Sequence, residues 1–231
     1  MSRLYDALKN AQANLPGPTR MPGRAAQPLA EDAPAFQLIQ AIDNRLADRP
    51  RRVIQIVGCG PREDVPGVAR RLARLSAQSL GRSCLLLDAQ MPPLAAKAMP
   101  AHPGIAGLPP VAALEAGRPH RQDEGYSFAV GSLFAQTEGG GVDPKELRRS
   151  WDRLRLVHDL VVVESPHLGT PLGLAIAPTV DGVVLVVEAD RTRIDKAEAA
   201  RESLIGGGAN LLGVVLDKRR FWVPNWLWEM L

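Results

Sequence analysis

Short apolar runs alternate with amphipathic segments along most of this chain. Most of these runs are rich in β-branched residues, and they lack in–out alternation, which is typical of strands buried on both faces of a parallel sheet. Five runs occupy residues 53–57, 84–87, 160–163, 183–187 and 211–216, and a weaker sixth lies at 126–130. Strands that alternate with helices predict an α/β fold, with a doubly wound, mostly parallel sheet and helices on both faces.

The segments between the runs have helical spacing. Within 66–80, Val68, Leu72 and Leu75 fall on one face. The sequence Asp-Pro-Lys-Glu at 143–146 indicates a helix start, with Asp as the N-cap, Pro at the first helical position and Glu three residues after the cap. Helices are predicted at residues 35–47, at 66–80, from 143 onward, and at 192–205, before the three glycines of 206–208.

Composition divides the chain further. Leu4 and Leu8 share one face of a short predicted helix, which is either a frayed terminus or a docking helix for a partner or membrane. Repeated Pro and Gly then predict a flexible linker. Three of the four Trp lie in the last ten residues. The predicted organisation is an N-terminal helix (1–12), a Pro-rich linker (13–34), an α/β domain (35–220) and an aromatic C-terminal tail (221–231).

The charge pattern and cysteine content exclude some classes of protein. The net charge of +3 comes from interleaved basic and acidic residues, so nucleic acid is not an expected partner. Cys59 and Cys84 lack metal-ligand spacing, which favours buried thiols in a reducing cytoplasm. There is no apolar signal core, and no stretch approaches the roughly 18 apolar residues of a membrane span. A cytoplasmic protein is expected, with any membrane contact peripheral.

The loop after the first predicted strand is the candidate nucleotide site. Residues 58–67 join a strand to a helix through a Gly-rich stretch, which is the context of a phosphate-binding loop. Such a loop needs a Lys for the β- and γ-phosphates and a Ser or Thr for magnesium, but Val65 and Pro66 stand there. Glu63 and Asp64 add negative charge. At about 4 Å and an effective dielectric constant of about 20, each repulsion with a phosphate costs roughly 4 kcal/mol.

Tight binding of ATP in the usual mode is therefore not expected at this loop. The position is treated as the vestige of a nucleotide site. Its residues are Gly58, Gly60, Pro61, Val65, Pro66 and Gly67.

Several motifs occur along the chain in a specific order. VIQIVGCGPREDVPGVARRLA comes first, followed by CLLLDAQMPPL, HDLVVVESPHL, DGVVLVVEADRTR and LLGVVLDKRR. Together they resemble the P-loop, second nucleotide motif, Walker B strand and last two strands of the tyrosine autokinase domains of bacterial polysaccharide export systems. That family belongs to the MinD/ParA-type group of deviant Walker A ATPases. MSRLYDALKNAQ and the following Pro-rich linker are also similar to its N-terminus. The resemblance implies a P-loop NTPase-like fold.

The chain departs from that family at four places. The Lys, the Ser and both glycines of its P-loop are missing. In the second motif only Asp88 is retained, since Gln90 and Pro92 replace the second acid and the Arg, and the Walker B acid is Glu164. The assembly motif Glu-x-x-Arg-x-x-Arg falls on residues 34–40 without its charges. An aromatic tail replaces the Tyr-rich one. These losses together argue against an autokinase.

Two further sets of residues are candidate contacts. Asp88 and Glu164 could hold a magnesium ion, although acids at neighbouring strand ends also serve as loop caps. The aromatic tail and the basic triplet at 218–220 could pack on the domain's own helices, bind a partner, or bind an anionic membrane surface. The candidate partner or membrane contacts are Leu4, Leu8, Arg219, Arg220, Trp222, Trp226 and Trp228.

The resemblance and the losses together favour a non-catalytic, kinase-like accessory or regulatory protein of exopolysaccharide synthesis and export, for a capsule, slime or adhesive polysaccharide. The implied partner is an inner-membrane polysaccharide co-polymerase, that is, a chain-length-control protein, or a kinase homologue, and the implied location is the cytoplasmic side of the inner membrane. No cofactor is expected, while weak binding of ATP and magnesium stays open. The alternatives are an active tyrosine autokinase or ATPase with an atypical site, and a ParA-type positioning ATPase.

Overall fold

Strands and helices alternate throughout the part of the chain that the computed structural model describes, which is residues 32–89, 128–133 and 143–218. The strands are β1 (Arg52–Gly58), β2 (Cys84–Asp88), β3 (Ala129–Ser132), β4 (Leu160–Glu164), β5 (Gly182–Glu188) and β6 (Leu211–Asp217). The helices are α1 (Ala33–Arg45), α2 (Val65–Leu80), α3 (Pro144–Val157), α4 (Pro171–Ile176) and α5 (Ile194–Gly206), with a 3₁₀-helix at Ala177–Thr179. The predicted α/β class is confirmed.

The strands form one sheet in the order β3–β2–β4–β1–β5–β6, and every neighbouring pair is parallel. β1, β4 and β5 are buried along their whole length, which explains why their sequences are continuous apolar runs. β6 lies at one edge of the sheet and is only partly covered. Parallel pairing brings the carboxyl ends of all six strands to the same edge, where ligands bind in open α/β sheets.

Helices cover both faces of the sheet. α1 and α2 pack on one face, where Ile39 and Leu72 meet strand residues such as Ile54. α3 and α4 pack on the opposite face through Trp151, Leu154 and related side chains. α5 covers β5 on that second face with a narrower apolar contact, since only Ala200 and Leu204 of this helix are buried. The arrangement is the doubly wound one predicted from the alternation of elements.

Most predicted elements are found with small shifts at their ends. The helix predicted at 35–47 is α1, and the helix predicted at 192–205 is α5. Asp143 caps α3 as predicted, since its carboxylate accepts the Lys145 N–H at 2.8 Å. The weak strand predicted at 126–130 lies slightly later, as β3. The predicted helix at 1–12, nearly all of the predicted linker at 13–34, and the predicted aromatic tail at 221–231 lie outside the described residues.

A buried carboxylate ties three elements together at the amino ends of the strands. The side chain of Asp181, which precedes β5, is 2% exposed and accepts the backbone N–H of Val53 at 2.8 Å. It also forms ion pairs with Arg49 and with Arg155 of α3, the latter at 2.8 Å. This cluster joins β1, β5 and α3 at the end of the sheet opposite to the candidate nucleotide loop.

Candidate functional site

The candidate site lies at the carboxyl edge of the sheet, where the loop at 58–67 connects β1 to α2. Acidic residues end four of the neighbouring strands at this edge. They are Asp88 of β2, Glu164 of β4, Glu188 of β5 and Asp217 of β6. The edge that would face a nucleotide in a P-loop protein is therefore rich in carboxylates, which disfavours a phosphate electrostatically.

Backbone N–H groups of the loop are hydrogen-bonded to oxygen atoms of the chain itself. The Cys59 N–H donates to the carbonyl of Val186 at 3.3 Å, and the Val65 N–H donates to the carbonyl of Glu63 at 2.9 Å. The Asp64 N–H donates to the carboxylate of Asp217 at 3.3 Å. A phosphate-binding loop presents these donors to its ligand, so this loop has few left to offer.

The Glu63 carboxylate lies inside the loop. It accepts the Gly60 N–H at 2.9 Å and the Thr192 hydroxyl at 3.2 Å, and the residue is buried. The Lys196 ammonium reaches the same place, because a Cβ added to Gly60 would lie 2.7 Å from Lys196 Nζ and 3.4 Å from the nearer Glu63 carboxylate oxygen. The carboxylate thus accepts an N–H donor of the loop, as a bound anion would in a working loop, and a lysine lies nearby.

The neighbouring carboxylate, Asp64, caps α2. Its side chain accepts the Gly67 N–H at 3.0 Å, and its carbonyl accepts the Val68 N–H at 3.1 Å. The cap fits closely, since a Cβ on Gly67 would lie 2.1 Å from Asp64 Oδ2. An aspartate N-cap satisfies the free N–H groups and the dipole of the helix start. The sequence suggested that Glu63 and Asp64 would repel a phosphate. In the structure, both carboxylates accept hydrogen bonds from backbone N–H groups of the loop and of the start of α2.

The two positions that would carry the catalytic Lys and the magnesium-binding Ser or Thr have other roles. Val65 is the first residue of α2, and its side chain is buried in the hydrophobic core between the sheet and helices α1 and α2. Pro66 stands in the first turn of α2, where its missing N–H removes no helical hydrogen bond but leaves one donor fewer at the helix start. The residues present do not fit the triphosphate of ATP in the usual P-loop mode.

Lys218 lies at the β6 side of the candidate site. Its ammonium lies 3.6 Å from the Glu188 carboxylate and 4.0 Å from that of Asp217. It also donates to the carbonyl of Arg62 in the loop at 3.0 Å. This lysine therefore bridges the ends of β5 and β6 to the loop, and its charge is partly balanced by the two acids.

Asp88 and Glu164, the predicted magnesium ligands, are direct neighbours in the sheet, because they are register partners on β2 and β4. Glu164 is buried. Its burial, together with the negative charge of Asp88, raises the pKa of Glu164 to about 7, against an ordinary value of 4.5; Arg70 acts in the opposite direction. Within the ranges 32–89, 128–133 and 143–218, no cluster of three or more His, Cys, Asp or Glu side chains is arranged to hold a metal ion.

Cys59 adds no nucleophile to the loop. Burial and the nearby charge of Glu63 raise the pKa of its thiol to about 11, although Lys196 lowers it. The thiolate is the reactive form of cysteine, so this side chain is inert near neutral pH.

The predicted vestigial residues Gly58, Gly60, Pro61, Val65, Pro66 and Gly67 all lie in this loop or at the start of α2. Sequence reasoning missed the inward position of Glu63 and its hydrogen bond with Thr192. Residues 188–193 follow β5 at the same edge, so the position of Thr192 was the available signal. The predicted contacts Leu4, Leu8, Arg219, Arg220, Trp222, Trp226 and Trp228 lie outside the described residues.

Replacing Glu63 with Ala is expected to lower the free energy of unfolding by about 2 kcal/mol, because the buried Gly60 N–H loses its acceptor and Lys196 loses a neighbouring charge. Glu63→Gln should cost less, since its amide oxygen can still accept. Urea denaturation measures both. The exposed Glu198→Ala on α5 is the control, and equal midpoints for Glu63→Ala and Glu198→Ala would contradict the internal role of Glu63.

Comparisons with known proteins agree with this fold. No family model matches the chain. It is 31% identical to the tyrosine-protein kinase CpsD of Streptococcus agalactiae over 68 residues, which are 29% of this chain and 30% of CpsD. It therefore matches less than a third of the length of that relative.

Two solved structures share the architecture. The kinase domain of the Escherichia coli tyrosine kinase ETK superposes with a TM-score of 0.60 at 18% identity, over 97% of this chain and 91% of that domain. The cell division protein MinD of Aquifex aeolicus gives a TM-score of 0.52 at 17% identity, over 78% of this chain and 71% of that protein. The chain thus has the predicted P-loop NTPase-like fold and is related in sequence to tyrosine-protein kinases.

A membrane-spanning helix is not found among the described residues, since none of their helices combines sufficient length with sufficient apolar character.

Proposed function

We propose that this chain is a non-catalytic, kinase-like accessory protein of exopolysaccharide synthesis and export, and a degenerate member of the tyrosine autokinase family. Its fold is that of a tyrosine kinase domain, and its sequence is similar to a tyrosine-protein kinase over 68 residues. The role in polysaccharide export comes from the resemblance of the motif order. A capsule, a slime or an adhesive polysaccharide would each be consistent with it.

The observation that carries the non-catalytic part of the proposal is the Asp64 carboxylate on the Gly67 N–H, where it caps α2 at the place of a phosphate. ATP would have to displace this cap, and would then meet neither a P-loop lysine nor a hydroxyl for magnesium, since Val65 and Pro66 stand there. Autophosphorylation would also lack the family's Tyr-rich tail, since the two tyrosines of the chain, Tyr5 and Tyr126, both precede the aromatic tail. The scaffold would be kept for binding, and catalysis would be lost.

The proposed partner is an inner-membrane chain-length-control protein, or a kinase homologue, met at the cytoplasmic side of the membrane. A bacterial two-hybrid assay between this chain and the cytoplasmic ends of chain-length-control proteins tests this. We expect an interaction that is unchanged in the Asp88→Ala variant, because the proposed role does not require the acid pair. An interaction that depends on ATP would contradict an accessory role without catalysis.

ATP titration with magnesium tests the loss of nucleotide binding. We expect the wild-type chain to bind a fluorescent ATP analogue with a Kd weaker than about 1 mM, which corresponds to about −4 kcal/mol. The matched variant carries Arg62→Gly, Asp64→Gly, Val65→Lys and Pro66→Ser, which restore the family's loop pattern, and it should bind more tightly. Micromolar binding by the wild-type chain that Asp88→Ala abolishes would instead support an active autokinase or ATPase.

The same titration followed by light scattering distinguishes the ParA-type alternative. A positioning ATPase would dimerise when ATP is added, so its scattering mass would double. We expect no ATP-dependent change of mass for this chain.

A further inference from the structure

The edge strand β6 exposes apolar side chains on the face of the sheet that carries α5. Val214 and Leu216 are 55% and 53% exposed. They are the register partners of Leu185 and Val187 in β5, so they lie on the face of the sheet that α5 covers. The pairing of β5 with β6 shifts register at Leu212, whose side chain is buried on the opposite face of the sheet. The residues that follow this shift then alternate between the two faces. The apolar side chains on the α5 face of β6 are therefore left without cover.

One side of α5 continues this surface. Ile194 and Ile205 are 78% and 49% exposed, and their spacing of eleven residues places them on one side of the helix. Lys196 lies about half a turn away from both, and its ammonium reaches Gly60 in the loop after β1. In the sheet, β1 and β6 flank β5 on opposite sides. The isoleucines consequently face the β6 side.

These side chains form an apolar surface between α5 and β6, which we call the α5–β6 surface and define as Ile194, Ile205, Val214 and Leu216. It lies at the outer edge of the sheet, on the β6 side of α5. Large exposed aliphatic side chains that gather on one face mark an interaction site more often than scattered ones do.

We propose that residues 219–231 of this chain, which follow β6 directly, pack on the α5–β6 surface. Lys218 fixes where that segment starts, since it is held at the carboxyl end of β6 by Glu188 and by the carbonyl of Arg62. Leu216 lies immediately before this point. The segment therefore begins at the end of the surface that it covers.

Length and composition fit this occupant. Thirteen residues can span up to about 40 Å when extended, whereas the seven residues of β6 span about 23 Å. Nine of the eleven residues at 221–231 are apolar, and three of them are Trp. Each Trp can bury about 150–250 Å². The aliphatic side chains of the α5–β6 surface would give these rings an apolar contact surface. Because the segment is tethered to β6, its effective concentration at this surface is high.

Tryptophan fluorescence of the full chain tests this proposal. Trp222, Trp226 and Trp228 would be covered in the wild type, and the fourth Trp, Trp151, is fully buried in the core. The variant Val214→Thr/Leu216→Thr removes apolar contacts and places a β-branched residue, which suits a strand, at both positions. We expect its emission to shift to longer wavelength and its acrylamide quenching constant to rise about twofold, because three of the four rings lose cover.

The matched control is Leu156→Thr/Val157→Thr. These residues are an exposed Leu and an exposed Val at the end of α3, away from the α5–β6 surface. Emission and quenching should stay at the wild-type values in this control. A chain that ends at Lys218 gives a second measurement, in which Trp151 alone reports the fold and amide hydrogen exchange in β6 should become faster.

Three outcomes would overturn the proposal. Wild-type tryptophans that acrylamide quenches as freely as in urea would show that the tail is not covered. Protection that disappears on dilution, together with a dimer mass, would mean that a second copy covers the tail. Protection that arises only with vesicles of anionic lipid would assign the tail to a membrane surface.

Discussion

Replacing Asp181 with Ala is expected to lower the free energy of unfolding by about 3 kcal/mol, the lower end for removing one partner of a buried ion pair. Its carboxylate accepts the Val53 N–H and pairs with Arg49 and Arg155. Without it, a buried N–H group and two guanidinium groups lose their partner. The loss stays at the lower end because the Arg49 side chain is already about half exposed and can turn to solvent.

Urea denaturation followed by far-UV circular dichroism measures this change. The matched control is Asp195→Ala, which breaks an Arg–Asp contact whose two side chains are both largely exposed. We expect this control to fall within about 0.5 kcal/mol of the wild type, as surface substitutions usually do. If the two variants unfold at the same urea concentration, the Asp181 cluster does not stabilise the fold.

Stability is expected to fall as the pH rises from about 4.5 to about 7, because of Glu164. Burial and Asp88 raise the pKa of this carboxyl in the folded chain to about 7, against 4.5 ordinarily. The unfolded state therefore releases its proton from about pH 4.5 upward, whereas the folded state keeps it until about pH 7, so that stability falls between these two values. The full effect is on the order of 3 kcal/mol, present at low pH and lost through this window.

The variant Glu164→Gln removes this ionisation while keeping the shape of the side chain. We expect this variant to be more stable than the wild type at pH 8. Its free energy of unfolding should change little between pH 5 and pH 8, whereas that of the wild type should fall. Urea denaturation in the presence of a chelator measures both. Glu202→Gln removes a carboxylate on the exposed side of α5 and is the control. A variant with the same pH profile as the wild type would show that Glu164 does not titrate in this range.

Magnesium gives this pair a second test. If Asp88 and Glu164 bound the ion, magnesium would favour the ionised form of Glu164 and restore stability at pH 8 in the wild type but not in Glu164→Gln. We expect no such difference at millimolar magnesium, since these two neighbouring acids are not joined by a third candidate ligand within the described residues.

Strands buried on both faces were predictable from the sequence, because short unbroken apolar runs rich in β-branched residues, bounded by helical segments, favour such strands. β1, β4 and β5 all lie where their runs predicted them. β3 was displaced in the prediction, since a strand of four residues carries too few apolar positions to fix its ends. α4 was missed because six residues show no helical periodicity, although Thr170 and Pro171 form a recognisable N-cap and first turn.

The place of the candidate site was predictable as well, whereas its internal contacts were not. A Gly-rich loop between a buried strand and a helix indicates the carboxyl edge of a sheet from local sequence alone. The position of Glu63 depends on Thr192, which is 129 residues away along the chain. Local sequence assigns such a glutamate to the solvent, because it holds no information on which distant donor meets it in the fold.

The strand order also governs how the chain is made on the ribosome. β1 is buried between β4 and β5, and its first residue, Arg52, pairs with Leu160, which is translated more than 100 residues later. At about 5–20 residues per second, the apolar β1 waits on the order of 5–20 s for its first neighbour to be synthesised. During biosynthesis β1 therefore stays without its neighbours in the sheet for this interval, in which its apolar side chains are exposed to aggregation.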